Sequence, residues 1–320
     1  MRHALVTGGA GFIGSHLVQA LLVEGWRVRV LDDFSSGRRE NLAVVGGEVE
    51  VCEGDVRDVA ACRRAVTGVE VVFHQAAIPS VPRSVADPVG THAVNLTGTV
   101  QLLTAAREAG VRRLVFASSS AIYGDDPELP KRETLPPAPM SPYAAQKLGS
   151  ENYLRVFAAL RSLETVALRY FNVFGPRQDP ASEYAAVIPK FVTRMLRGQA
   201  PTIYGDGRQT RDFIFAGEVA RANVLAATAP AASGQVVNVA GGKRIDLLAL
   251  VDTLNGVLGT SLAPVFAPAQ AGDVRDSVAD ITRAREVLGF EPRVSFADGL
   301  RETVAWYRQA MAAAGDDHPA

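Results

Sequence analysis

The feature that most constrains this chain is an alternation. Through its first 170 residues, short β-branched runs take turns with longer segments of helical period. The strands read as His3 to Thr7, Arg27 to Asp32, Val49 to Glu53, Val69 to Gln75, Arg113 to Ser118 and Thr165 to Tyr170. Between them Ile13 to Glu24, Val59 to Val66, Thr91 to Ala109 and Pro142 to Leu160 read as helices; two are long, with Leu, Val or aromatic residues at three- and four-residue spacing. Repeated strand–helix units predict stacked βαβ crossovers, hence an α/β fold with a doubly wound parallel sheet.

After Asn172 the alternation fails, and loops such as Gly175-Pro176-Arg177 and Tyr204-Gly205-Asp206-Gly207 become frequent. A smaller, irregular α/β substrate lobe is expected there, with helices over Val187 to Arg197, Ala216 to Thr228, Asp246 to Leu258 and Ala297 to Ala313. The expected division is 1–170 for the large domain and 171–314 for the lobe, some segments returning to the large domain, with a frayed tail at 315–320.

Composition narrows the function. With 33 Lys plus Arg against 34 Asp plus Glu, a net charge of -1 and no basic block, the chain lacks what nucleic-acid binding requires. Cys52 and Cys62 stand in neither a Cys-x-x-Cys pair nor a His cluster, so two reduced thiols are expected, with no disulfide framework and no metal site. No apolar run approaches the ~18 residues of a membrane span, and the first apolar stretch breaks at Thr7-Gly8-Gly9. A cytoplasmic protein with a small ligand is the expectation.

The strongest local signal is Thr7-Gly8-Gly9-Ala10-Gly11-Phe12-Ile13-Gly14, directly after the first strand and opening the first helix. Missing side chains at 8, 11 and 14 let the turn tighten and the backbone approach a pyrophosphate, which then rests on the helix N-terminus. Asp32 ends the second strand, placed to accept from an adenosine ribose and to repel a 2′-phosphate. Together these predict a Rossmann-type domain holding NAD rather than NADP, although Arg38 and Arg39 lie just downstream. Asp55 is placed either to contact adenine or to serve as a turn residue. Small residues in His74-Gln75-Ala76-Ala77 would let the cofactor lie against the backbone, with His74 itself read as structural.

Tyr143 and Lys147 share one face of a helix that begins at Pro142. An ammonium near a phenol lowers the tyrosine pKa and makes a usable general base. Upstream, Ala117-Ser118-Ser119-Ser120-Ala121-Ile122-Tyr123-Gly124 ends a strand.

At these residues the chain resembles the extended short-chain dehydrogenase/reductase superfamily, and within it the NAD-dependent nucleotide-sugar epimerases acting at C4 of UDP-hexoses. The resemblance runs from Gly8 to Tyr307. It implies Ser119, four residues before the Tyr-Gly pair, as the catalytic serine beside Tyr143 and Lys147. For the cofactor it implies Gly8, Gly11, Phe12, Ile13, Gly14, Asp32, Asp33, Ser36, Gly37, Asp55, Val56, Gln75, Ala76, Ala77, Asn95, Ser118, Tyr143, Lys147 and Tyr170. Dehydratases of this superfamily carry Asp-Glu after the catalytic residue and uronate decarboxylases a Glu; here Ser120 and Ala121 stand there, which implies redox-neutral epimerisation.

For the substrate the resemblance implies Ser119, Ser120, Tyr143, Asn172 on the diphosphate, Val187 at the uracil, Tyr204, Arg211 on the phosphates, and Asp273 on the uridine ribose. The bare chemistry leaves Arg211 open as a solvated arginine. The arginine usual three residues before that Asp is Gln270 here. Ser277 is small where bulk limits the sugar C2 substituent, which admits an N-acetyl group; Arg83 would suit either that branch or a uronate carboxylate. UDP-glucuronate therefore stays open as a substrate, and a non-catalytic NAD-binding sensor is the reading of another class. The resemblance also implies a homodimer through a four-helix bundle built from the two long helices.

Overall fold

The structure, a computed structural model, describes residues 2–180, 187–269 and 275–313. Its frame is a seven-stranded, all-parallel sheet. The strands are β1 (His3–Thr7), β2 (Arg27–Asp32), β3 (Val49–Glu53), β4 (Val71–His74), β5 (Arg113–Ser119), β6 (Glu164–Tyr170) and, much later, β11 (Gln235–Val239). Their order across the sheet is β11-β6-β5-β4-β1-β2-β3, so the winding direction reverses between β1 and β4. Ligands of open α/β sheets bind at that switch point, outside the carboxyl ends of the strands.

Three small strand pairs follow the large sheet: β7 (Asn172–Phe174) with β10 (Phe213–Phe215), β8 (Thr202–Tyr204) with β13 (Val265–Ala267), and β9 (Thr210–Arg211) with β12 (Ile245–Asp246). The α-helices are α1 (Phe12–Val23), α2 (Arg39–Ala43), α3 (Val59–Val66), α4 (Val81–Ala86), α5 (Pro88–His92), α6 (Gly98–Glu108), α7 (Pro142–Ala159), α8 (Val187–Leu196), α9 (Ala216–Thr228), α10 (Leu247–Leu258) and α11 (Phe296–Ala313).

The strands are apolar on both sides because helices cover both faces. Leu17, Val18 and Leu21 of α1 and Val219, Ala222 and Ala226 of α9 bury one face. Ala61 and Ala65 of α3, Leu102 and Leu103 of α6 and Leu154 of α7 bury the other. A separate core of Phe174, Phe191, Val192, Phe213, Leu250, Leu254, Leu300 and Val304 holds the small lobe. No helix among the described residues is long and apolar enough to cross a membrane.

β11 adds the outer strand of the large sheet beside β6, and α9 packs with α1 over β5 and β6. The β-branched run Val236, Val237 and Val239 carried that signal locally. One expectation changes: the helix expected over Thr91 to Ala109 is interrupted, with a π turn over Ala93–Thr97 between α5 and α6. Its physical reason is Asn95, whose carbonyl accepts from Thr99 Oγ1 (2.7 Å) and Ser150 Oγ (3.1 Å); side chains inserted in a helical ladder widen the turn.

Candidate active site

Strand register brings the expected residues to one edge. Thr7 pairs with Leu31 and with His74, and Ser119 pairs with Tyr170, so the glycine turn, Asp32, the 75–77 loop and the serine cluster leave the sheet side by side.

The glycine turn is built for close approach. Gly8 has φ +66°, and a Cβ there would sit 2.7 Å from Ala76 N; one on Gly14 would sit 2.0 Å from Gly8 O. Gly11 caps α1 without a side chain, leaving first-turn N–H groups facing the cleft as an anion site. Asp32 Oδ2 accepts from Ala10 N and Oδ1 from Phe34 N, both at 2.9 Å. Burial raises its carboxyl above the usual range while those two donors pull it down. Gly37 lies against this carboxylate, Asp33 binds Ser35 (2.7 Å to Oγ), and Ser36 is exposed. Phe12, Ile13, Ala76 and Ala77 are half-buried along the same edge. A cradle that a Cβ would fill, a bare helix N-terminus and a carboxylate at the end of β2 fit a dinucleotide.

The second cluster lies where α7 crosses the end of β5. Ser141 caps α7 by accepting from Ala144 N at 3.2 Å, and Pro142 occupies the first helical position. Tyr143 thus sits in the first turn, its own N–H donating to Ser84 Oγ at 3.0 Å. Its hydroxyl meets Ser119, which also caps the short turn Ser120–Tyr123. One turn on, buried Lys147 donates from Nζ to Ala117 O at 2.7 Å and lies 4.7 Å from the Phe116 ring centre and 5.9 Å from that of Tyr143. Burial brings this lysine from 10.5 down to about 7, with Glu151 opposing.

The expected lowering of the Tyr143 pKa is corrected: burial pushes the phenol up, and the Ser119 hydrogen bond pulls it back. Lys147 directs its Nζ to the β5 carbonyl of Ala117 and lies 5.9 Å from the Tyr143 ring centre.

The small lobe supplies a third group. Asn172 donates from N to Asp212 O (3.0 Å), Thr210 from N to Arg275 O (2.9 Å), and Ser277 from N to Thr210 O (3.2 Å). These bonds bring Asn172, Arg211 and Ser277 onto adjacent backbone segments, with Arg211 Nη1 on the carbonyls of Thr210 and Arg275. Tyr204 is exposed at the end of β8, Val187 is the half-buried first residue of α8, and Arg83 is exposed on α4. Asp273 and Gln270 lie outside the described residues. A cavity of about 860 Å³ lined by Phe174, Phe213, Lys243, Arg244 and Arg293 contains none of Ser119, Tyr143 and Lys147.

The model of the NAD-dependent epimerase/dehydratase family matches residues 4–240. The chain is 44% identical over 313 residues to a UDP-glucose 4-epimerase of Mycolicibacterium smegmatis, covering 95% of this chain and 98% of that one. The chain belongs to the NAD-dependent epimerase/dehydratase family. Among solved structures, a UDP-N-acetylglucosamine 4-epimerase from Methanobrevibacter ruminantium in complex with UDP-N-acetylmuramic acid superposes with a TM-score of 0.92 at 42% identity, over 97% of this chain and 99% of that one. A Thermus thermophilus UDP-glucose 4-epimerase in complex with NAD gives 0.86 at 41%, over 96% and 99%. As a member of this family the protein is an enzyme of the extended short-chain dehydrogenase/reductase class, and NAD is its cofactor.

Several of the expected contact residues also bond within the protein. Asn95 is 1% exposed, its amide bound to Ile78 N (2.8 Å), Ile78 O and Gln146 Oε1 (2.8 Å); it braces the 76–78 loop. Ser118 spends its hydroxyl on Glu151 (2.5 Å). Tyr170 is buried with its hydroxyl on Gln75 and Asn223, and Gln75 donates to Asn223 (3.1 Å). Asp55 is engaged by Arg57 from both backbone and guanidinium, beside buried Val56. His74 bridges Thr7 (2.7 Å) and Thr99 (2.9 Å), fully buried. Sequence reasoning missed the buried Glu151–Arg169 pair, whose one signal was a charge at the second i+4 step of the Tyr143, Lys147 face.

Proposed function

We propose that this enzyme interconverts UDP-hexoses at C4, UDP-glucose with UDP-galactose and UDP-N-acetylglucosamine with UDP-N-acetylgalactosamine, through a 4-keto sugar. The observation that carries this reading is Ser119, Tyr143 and Lys147 gathered between β5 and α7 beside a dinucleotide cradle, with Ser120 and Ala121 in place of any acid that could drive β-elimination. The relatives named above support it.

Tyr143 takes the proton of the sugar 4-hydroxyl and returns it to the 4-keto oxygen once the sugar has turned over. Three features oppose the burial that raises this phenol: the Ser119 hydroxyl, its place in the positive first turn of α7, and the Lys147 ammonium one turn away. Ser119 orients the sugar oxygen. NAD, when bound, supplies the hydride-accepting and hydride-returning carbon, so the reaction consumes no reductant. Asn172 and Arg211 hold the diphosphate while the sugar turns over, and Ser277 leaves room for a C2 N-acetyl group. UDP-glucuronate is the second reading, favoured by Arg83, the neighbour of the Ser84 that accepts the Tyr143 N–H. We place the enzyme in the cytoplasm, consistent with free Cys52 and Cys62, as a homodimer through a four-helix bundle of α6 and α7 from each copy, with Tyr153 and Val156 of α7 exposed.

The test is to purify the protein without added cofactor and follow C4 inversion of UDP-galactose, UDP-N-acetylgalactosamine and UDP-glucuronate by proton NMR. Inversion of either of the first two supports the main reading, and inversion of the uronate alone favours the second. Tyr143→Phe is expected to abolish turnover and keep NAD affinity within about threefold. No inversion of any of the three with NAD added, or undiminished turnover in Tyr143→Phe, refutes the reading.

A further inference from the structure

Tyr143, Lys147 and Glu151 follow one another at four-residue steps on α7, and three consecutive residues of β5 answer them. Ser119 meets Tyr143, the Ala117 carbonyl holds Lys147 at 2.7 Å, and Ser118 Oγ donates to Glu151 Oε1 at 2.5 Å. The Glu151 side chain is wholly buried. Its carboxylate takes a two-pronged contact from Arg169 of β6, Nε to Oε1 at 2.9 Å and Nη2 to Oε2 at 2.8 Å. Arg169 in turn lies 4.7 Å from the Tyr123 ring centre. A wholly buried ion pair is expensive and is often replaceable by apolar residues with no loss of stability, so its position next to the reacting cluster asks for another reason.

We propose that Glu151, fixed by Ser118 and Arg169, is a positioning residue for the reaction: its buried charge keeps Lys147 protonated and its hydrogen bonds hold α7 in register on β5. The inference rests on the reading of Tyr143 and Lys147 given above. The titratable groups facing Lys147 are Tyr143 and Glu151 from α7 and His74 from β4, with Arg169 of β6 joined through Glu151. His74 stays neutral, pushed by burial and by Lys147 down to about 3. Glu151 is therefore the anion nearest to Lys147 among these groups. Unit charges about 6 Å apart at an effective dielectric of about 20 shift each other by about two pH units. Arg169 offsets part of that in the parent, so removing Glu151 alone shifts Lys147 by about two units and removing both by about one.

The experiment compares Glu151→Gln and Glu151→Asp with the parent, by turnover against pH at saturating UDP-sugar and by NAD affinity against pH in calorimetry. Removing a negative charge lowers every neighbouring pKa. In Glu151→Gln the alkaline limb of kcat is expected about two pH units lower, with turnover above that limb down about a hundredfold and KM within about twofold. The Lys147 step in NAD affinity, identified by its absence in Lys147→Met, moves by the same amount, and Glu151→Asp restores both. If Glu151→Gln fails to fold because Arg169 is left uncompensated, Glu151→Gln/Arg169→Gln carries the test, with a shift of the same sign. Limbs and NAD step unmoved in a folded variant overturn the proposal, even if kcat drops uniformly. Failure of the parent to invert any UDP-sugar refutes the proposed reaction instead and leaves the NAD measurement to decide on Glu151.

Discussion

Lys147→Met is expected to make the protein more stable while abolishing turnover. The lysine is 3% exposed, and burial brings it from 10.5 down to about 7. Between those values the unfolded chain holds a proton that the folded chain has released, so stability rises with pH through that window, and below pH 7 the full cost is present. At one pKa unit per ~1.4 kcal/mol, burying this ammonium costs about 4 kcal/mol at pH 7. Methionine fills the space without a charge and leaves the Ala117 carbonyl unpaired, a loss of about 1 to 3 kcal/mol. The net expectation is a gain of about 2 kcal/mol at pH 7 that shrinks as pH rises and vanishes or reverses near pH 10. Urea unfolding of both proteins at pH 7 and pH 9.5, without NAD so that ligand binding does not contribute, measures it. A variant less stable than the parent at pH 7, or one whose stability changes with pH as the parent's does, would refute the reasoning. Stability spent at one buried cation is the trade expected of a reacting site.

Two other perturbations test the frame. Gly14→Ala places a Cβ 2.0 Å from Gly8 O, which forces the turn open; NAD affinity by calorimetry is expected to fall at least a hundredfold, and an affinity within threefold of the parent's contradicts the cradle. His74, held neutral between Thr7 and Thr99 with its pKa pushed to about 3, binds its proton far more readily unfolded than folded. Stability is therefore lost as pH falls below 6.5, by about 2 kcal/mol at pH 5 from this residue alone. His74→Gln is expected to reduce the drop in urea midpoint between pH 7.5 and pH 5, and an identical drop in both proteins would exclude His74 as a source of it.

Local patterns were enough for the parallel sheet, the glycine turn, Asp32 and the Ser119–Tyr143–Lys147 set, because each is written in residues close together in the chain: a strand, a turn and a helix start within about a dozen positions, or a four-residue step on one helical face. What tertiary structure alone decided are the partners of side chains that look interchangeable in sequence. Ser118 and Ser119 are adjacent and alike in sequence, yet one hydroxyl goes to Glu151 and the other, at the strand's end, to Tyr143. Asn95 and Tyr170 carry the chemistry of ligand contacts, and the fold also bonds them to Ile78 and Asn223. β11 joins the sheet beside β6 from about 65 residues further along the chain, a pairing that no local window contains. The Tyr143 pKa went the other way from its expectation for the same reason. Sequence places a lysine one turn from the phenol, but burial, which only the packed structure sets, pushes the phenol up further than Ser119 pulls it back.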